Sequence, residues 1–344
     1  MRFDTDGTVL LFTPGIEGFA KKAYEVLLQE IDPSEKKLEL HPIHADYFNN
    51  NESDIAILAN VRGRHAYVFH AFTGRNGEYS PNDGFMNLYL IDDALRRSSV
   101  EKITYVLPHI PYQRKDRMDK PRVPISARRT VQMVIDTNYS IPTRIVTFDM
   151  HAGQIQGFVS FPLDHLNASP IFVDYLRQLS DPDTFVIVSP DTGGVTRARH
   201  MAKKLNNNEI VLVDKRRPAP GEAEVMHIVG EEIVKDRPCV IRDDIADTGG
   251  TACKAANALR EAGATYIYLC ATHGVFSRQK NNGRTAEEEF RKSGIKVITT
   301  DTIPRSEDYI EANKDWLTVL SVVPMTAEAI YRIQTRGSLS ELIE

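Results

Sequence analysis

The chain has 344 residues, 42% of them hydrophobic and 26% charged. That is ordinary globular composition, and the length suits two domains of typical size. A net charge of −5 argues against a general nucleic-acid binder, and no apolar run approaches the roughly 18 residues that suggest a membrane span. The opening Met1-Arg2-Phe3-Asp4-Thr5-Asp6 lacks the basic-then-apolar order of a signal peptide. Cys239, Cys253 and Cys270 have no metal-type spacing and read as reduced thiols of a cytoplasmic protein.

In chain order, short β-rich runs alternate with helical ones. A strand over Val9–Thr13 precedes a helix over Gly18–Ile31, strands over Leu38–Ile43 and Ala66–Ala71, and a helix over Gly84–Arg97. A strand over Ile103–Leu107, a helix over Ile125–Asn138 and a strand over Arg144–Phe148 follow. The second half offers strands over Thr184–Val188, Glu209–Val213, Cys239–Ile241, Tyr266–Ala271, Lys296–Thr300 and Leu317–Val322. Its helices are expected over Val195–Leu205, Ala252–Ala262 and Ala327–Gln334. Such alternation predicts parallel sheets covered by helices, with ligands gathered at the carboxyl ends of the strands. A break near residues 160–170 gives two expected domains, 1–165 and 166–344, with the C-terminal segment a candidate to pack back on the first.

The expected strand ends carry the chemistry. Pro238–Arg242 reads as a short buried strand ending in Asp243-Asp244-Ile245-Ala246-Asp247, then Thr248-Gly249-Gly250-Thr251 and a helix. Such a loop aims N–H groups and hydroxyls at one spot, where the helix dipole favours an anion. The carboxylates beside it accept hydrogen bonds from vicinal hydroxyls. A phosphate and a diol so close describe a ribose 5-phosphate; an ordinary βα turn with a capping Thr is the alternative. Three carboxylates there would repel one another without a ligand or cation.

Other strand ends share this grammar. Arg144–Phe148 ends in Asp149-Met150-His151, and Phe185–Val188 ends in Ser189-Pro190-Asp191-Thr192-Gly193-Gly194. His151 and Asp191 are candidate cation ligands, although a lone His is as readily a satisfied polar residue near a core. Val211–Val213 ends in Asp214-Lys215-Arg216-Arg217, then Pro218-Ala219-Pro220-Gly221. This reads either as a solvated basic turn or as cations on a mobile loop that closes over an anion. Between residues 105 and 129, Arg114, Lys115, Arg117, Lys120, Arg122, Arg128 and Arg129 crowd together, which suits phosphate or polyphosphate, or else a solvated face and a subunit interface.

Taken together and in this order, these strings resemble the ribose-phosphate diphosphokinase (phosphoribosyl-pyrophosphate synthetase) family from about Phe48 onward. The resemblance rests on Asn60-Val61-Arg62-Gly63, Asn82-Asp83, Asp149–Phe158, Ser189–Val195, Asp214–Arg217, Asp243–Thr251, Ala271-Thr272-His273-Gly274 and Thr300–Pro304. The run Gln154–Phe158 separates that family from ordinary phosphoribosyltransferases, which share only the sugar-phosphate loop. The resemblance implies an α/β fold of two tandem type I phosphoribosyltransferase-like domains, each a parallel-sheet αβα unit, with the active site between them. It implies Mg2+, ATP and ribose 5-phosphate, with AMP and phosphoribosyl pyrophosphate as products. It also implies a homo-oligomer built from dimers, up to hexamers, in which a neighbouring subunit supplies part of the nucleotide site.

Carried over by residue, Asp243, Asp244, Asp247, Thr248, Gly249, Gly250 and Thr251 hold ribose 5-phosphate. His151 and Asp191 serve the metal, and Lys215 and Arg217 are the catalytic cations. Arg114 and Lys115 match the nucleotide-binding pair; Phe48, Asn50 and Glu52 match the adenine-side segment. A non-catalytic regulatory paralogue and a phosphoribosyltransferase are the alternatives. The chain departs from the family at Asn50, where the family has an Asp, and at Lys115, where Gln is common. Both touch base recognition: either nucleotide preference changes, or the Asn50 carbonyl makes the same contact. Met150 replaces a usual Leu or Ile, and Arg117–Arg122 is about one residue short in a region that helps form the family's regulatory site. The first ~45 residues resemble the family least.

Overall fold

The computed structural model describes residues 3–32, 37–74, 77, 79–133, 141–180, 184–207, 209–216, 225–280 and 283–343. The chain divides into two compact units. One comprises Met1–Asn167, Thr302–Ser306 and Val322–Glu344; the other comprises Ala168–Asp301 and Glu307–Ser321.

The first unit contains strands β1 (Thr8–Phe12), β2 (Glu39–Tyr47), β3 (Ser53–Ile57), β4 (His65–Phe69), β5 (Lys102–Val106), β6 (Thr143–Phe148) and β7 (Leu163–Leu166). They form one sheet in the order β3-β2-β1-β4-β5-β6-β7. Only the β2–β3 pair is antiparallel. Helices α1 (Glu17–Glu30), α2 (Pro81–Arg97) and α3 (Ser126–Met133) lie between these strands in sequence. The strands β1 and β4 read Thr-Val-Leu-Leu-Phe and His-Ala-Tyr-Val-Phe. Such apolar runs suit a parallel sheet covered on both faces, and they are buried throughout except for His65.

The second unit repeats this plan. Helix α4 (Ser169–Leu179) leads to β8 (Val186–Ser189), α5 (Val195–Lys204), β9 (Ile210–Arg216), β10 (Val225–Val229) and β11 (Cys239–Ala246). Then come α6 (Gly250–Glu261), β12 (Ile267–Gly274), α7 (Ala286–Ser293), β13 (Lys296–Thr300), α8 (Glu307–Ala312) and β14 (Leu317–Leu320). The sheet order is β10-β9-β8-β11-β12-β13-β14, again with one antiparallel pair, β9–β10. Phe276, Phe290 and Trp316 pack ring against ring in its core.

Helices α9 (Val323–Thr335) and α10 (Ser340–Ile343) follow the second unit in sequence but belong to the first. Helix α9 packs on α1. Its Gln334 Oε1 accepts from the Tyr67 hydroxyl at 3.0 Å and from His65 Nδ1 at 3.1 Å. The Thr104 hydroxyl lies 2.8 Å from the other His65 nitrogen. This is the pattern of a neutral imidazole, and burial pushes the His65 ring down to about 4.

Two expectations change in the structure. The β11 strand does not stop at Arg242: it stays paired with β12 through Asp243 and on to Ala246, so the two carboxylates lie within the strand. Likewise β9 runs beyond Val213 to Arg216, because β10 pairs with it antiparallel from Arg216↔Val225 to Leu212↔Val229. Lys215 therefore sits opposite Met226 in a ladder. Arg217 and Pro218–Gly221 lie outside the described residues.

Candidate functional site

In each sheet the strand order reverses between the first strand of the unit and the fourth, β1/β4 and β8/β11. Open α/β sheets hold ligands in the crevice beyond the carboxyl ends at such a reversal. In the second unit, the Asp191 turn and the Asp247–Thr251 loop leave the sheet there, the loop directly after Asp243 and Asp244 at the end of β11.

Asp191 ends the β8 segment and caps the turn Thr192–Gly194, its Oδ1 accepting from the Gly194 N–H at 2.9 Å. The Ser189 hydroxyl donates to the Asp191 carbonyl at 2.7 Å. These bonds fix the carboxylate's direction while the side chain remains exposed. The turn packs against β11.

On β11, Asp244 is buried and Asp243 half-buried, and the Asp244 N–H donates to Asp243 Oδ1 at 2.8 Å. Burial, then the neighbouring Asp244 charge, push the Asp243 carboxyl up to about 8; Arg197 opposes them. That guanidinium, one turn into α5, stands 3.5 Å from Asp244 Oδ1 and 3.9 Å from Asp243 Oδ1. Arg242 is also fully buried, donating to Cys270 O at 3.3 Å and Thr272 Oγ1 at 3.1 Å and lying 4.8 Å over the Phe172 ring.

The loop then turns into α6 at Gly249, whose φ of +78° is left-handed and whose missing Cβ would lie 3.3 Å from Phe290. A side chain there would be strained twice over. Helix α6 starts at a glycine, which has no side chain to cap it; Thr251 beside it is exposed and Thr248 and Gly250 are half-buried. An anion satisfies the first N–H groups of a helix and the helix dipole together. The structure thus brings Asp243, Asp244, Asp247, Thr248, Gly249, Gly250 and Thr251 to one segment, adjoining the turn that Asp191 caps. The Lys215 backbone is three residues past Leu212, the β9 partner of Ser189.

In the first unit, the residues singled out from sequence divide between two places. Beyond the paired ends of β5 and β6, where the Phe148 N–H donates to the Pro108 carbonyl at 3.3 Å, two loops carry Arg114 and Lys115, and His151. All three side chains are exposed. Lys115 Nζ lies 2.8 Å from Asp119 Oδ2 and holds that carboxyl below its usual range. The loops are joined by Gln113, whose Oε1 accepts from the His151 N–H at 2.8 Å, and by Gln154, whose amide donates to Asp116 at 2.8 Å.

The other place is the tip of the β2–β3 hairpin. The Phe48 N–H donates to the Glu52 carbonyl at 2.8 Å, and the Asn50 Oδ1 accepts from the Glu52 N–H at 3.2 Å. The tip uses the Asn50 carbonyl oxygen within its own turn, and Phe48 is 55% exposed. Three strand spacings, about 14 Å, separate β2 from β5.

Among the described residues, no group of three or more His, Cys, Asp or Glu side chains forms a metal cage. No helix there is long and apolar enough to cross a membrane. Arg197 and Gln113 are the functional candidates that the sequence concealed. Arg197 looks like any helix-surface arginine, and a single glutamine in a polar loop carries no pattern.

Family models match both units: one described as the N-terminal domain of ribose phosphate pyrophosphokinase over residues 17–137, the other as the phosphoribosyl transferase domain over 171–309. A protein of Listeria ivanovii named ribose-phosphate pyrophosphokinase is 40% identical over 335 residues, 97% of this chain and 98% of its own length. A Haemophilus influenzae protein of the same name is 39% identical over 331 residues, 96% of this chain and 99% of its own. Among solved structures, phosphoribosylpyrophosphate synthetase from Mycobacterium smegmatis superposes with a TM-score of 0.80 at 31% identity, covering 96% of this chain and 100% of that one. The two curated relatives, 39–40% identical, match at nearly full length, and both units match family models; the chain belongs to the ribose-phosphate pyrophosphokinase family.

Proposed function

We propose that the chain transfers the diphosphoryl group of ATP to the 1-hydroxyl of ribose 5-phosphate, giving phosphoribosyl pyrophosphate and AMP. The observation that carries this reading is the glycine-started helix α6 directly after an acidic pair on a central strand. The N–H groups and hydroxyls of Thr248–Thr251 take the 5-phosphate, and Asp243, Asp244 and Asp247 accept from the ribose hydroxyls. A carboxylate accepts on all its lone pairs only when ionised; Arg197 opposes, without overcoming, the burial and the Asp244 charge that raise the Asp243 carboxyl.

Lys215 and Arg217 stabilise the charge that builds on the β-phosphoryl oxygens and on the departing α-phosphate oxygen. Such transfer needs positioning and charge stabilisation more than covalent participation by the protein. Arg114 and Lys115 bind the nucleotide phosphates, and Phe48, Asn50 and Glu52 bind the base. The three strand spacings between β2 and β5 suit a hairpin tip that serves a neighbouring copy in a homo-oligomer.

Asp191 and His151 are assigned to Mg2+. That ion keeps several waters and takes one or two protein groups plus substrate phosphates. When bound, it neutralises charge on the phosphate oxygens. The thiol usage suits a cytoplasmic setting.

Supplied with ATP, Mg2+ and ribose 5-phosphate, the protein is expected to release AMP and phosphoribosyl pyrophosphate in equal amounts. Pyrophosphate release from phosphoribosyl pyrophosphate and a base would indicate a transferase instead, and silence in both assays a regulatory paralogue. Lys215→Ala is expected to lower turnover at least ~100-fold with ribose 5-phosphate binding retained; near-normal turnover would remove Lys215 from the mechanism.

A further inference from the structure

We propose that Gln113 is a positioning residue that holds the nucleotide-binding Arg114 and the cation-binding His151 in fixed register; the proposal rests on the roles assigned to those two residues above. The Gln113 side chain is 4% exposed. Its amide nitrogen donates to the Ile110 carbonyl at 2.8 Å within its own loop, and its Oε1 accepts from the His151 N–H at 2.8 Å in the next. Backbone pairing between the two segments reaches the Phe148–Pro108 bond, and this one buried amide continues the connection beyond it.

The backbone on both sides of this bridge is strained. Tyr112, immediately before Gln113, has φ +66°, and Asp149, two residues before His151, has φ +29°. Left-handed non-glycine residues persist only where their surroundings over-determine them, and they gather at functional sites. Each loop is anchored on its far side: Ile110 and Ile155 enter the core, and the Ala127 N–H ties the Lys115 carbonyl to α3 at 3.1 Å. Gln113 is a buried link between those anchored halves. It touches neither nucleotide nor cation; it acts through the backbone of the residues that do. Groups of this kind typically change metal affinity or activity 10- to 100-fold when removed.

The test uses Gln113→Met, which keeps the volume and removes both hydrogen bonds, and Gln113→Glu, which keeps the acceptor. In the protein without ligands, Gln113→Met is expected to speed amide exchange at His151 about tenfold or more. The dissociation constant of a non-hydrolysable ATP analogue with Mg2+ is expected to rise about tenfold, while that of ribose 5-phosphate stays within about twofold. Gln113→Glu is expected to keep His151 protected and nucleotide affinity within about threefold of the parent, which also serves if the methionine variant does not fold.

Unchanged His151 exchange in Gln113→Met would overturn the proposal. So would an equal loss of affinity for both ligands, or a glutamate variant as weak as the methionine one. A parent chain that binds no ATP analogue would overturn the proposal together with the functional reading beneath it.

Discussion

In the first unit the helix after the fourth strand starts at a serine that caps it; in the second it starts at a glycine that has no side chain to do so. Ser80 and Asp83 close the start of α2 in a capping box: the Ser80 N–H donates to Asp83 at 2.9 Å and the Asp83 N–H to the Ser80 hydroxyl at 3.3 Å. The crevice at the β1/β4 reversal is also filled. Buried His70 reaches Thr13 Oγ1 at 3.2 Å and the Gly84 carbonyl at 3.0 Å, and a Cβ on Gly84 would lie 2.2 Å from Phe72 O. The equivalent place in the second unit carries the Asp243–Asp244 pair and the start of α6. Strand order is the same in both, so topology supplies a crevice but not a ligand site. Which residues fill the helix start decides whether an outside anion has a place.

The largest effect is expected from giving α6 the cap that α2 has. Ala252 stands at the third helical position, as Asp83 does in α2. Ala252→Asp puts an internal carboxylate at the helix start and is expected to weaken ribose 5-phosphate binding about 100-fold, measured by calorimetry; unchanged affinity would place the phosphate elsewhere. Asp243→Asn is expected to cost ribose 5-phosphate affinity about 10- to 100-fold while raising the melting temperature near pH 8. A buried acid removed from the site relieves strain that binding requires.

The units also differ in their response to pH. The Asp243 carboxyl is raised, so the folded state binds more protons than the unfolded one between about 4 and about 8, and stability falls as pH rises through that window. His65 and His70 are both pushed by burial to about 4, so the folded state binds fewer protons between about 4 and 6.5. Stability of the first unit is then lost as pH falls through that range, by up to about 3 kcal/mol for each ring. Hydrogen exchange resolved by segment, at pH 5 and pH 8, is expected to show acid loosening around His65 and alkaline loosening around Asp243, and the reverse order would refute both assignments. The smallest effect is Asp83→Ala, expected to destabilise α2 by about 1 kcal/mol in denaturant unfolding.

Much of this comparison was legible in the sequence. Continuous apolar runs such as Val9–Phe12 and Val186–Val188 announce central strands, and Asp243–Thr251 announces its chemistry through three carboxylates beside glycines and hydroxyls. Less could be read where tertiary pairing overrides local character. The short edge strands Ser53–Ile57 and Val225–Val229 depend on a partner, and β11 continues through two charged residues because β12 pairs with them. Arg197 and Gln113 matter through what lies across from them, 47 and 38 positions away in the chain for Asp244 and His151.

The first unit is discontinuous: His65 waits for Gln334, 269 residues further on. A ribosome delivers residues in order, so the inserted second unit leaves it before α9 exists. The surface of α1 and the polar pocket at His65 then stay bare until synthesis is nearly over. A nascent chain therefore completes its later-numbered unit first and its earlier-numbered one last, and a fragment ending near residue 167 carries a half-built layer for chaperones to cover.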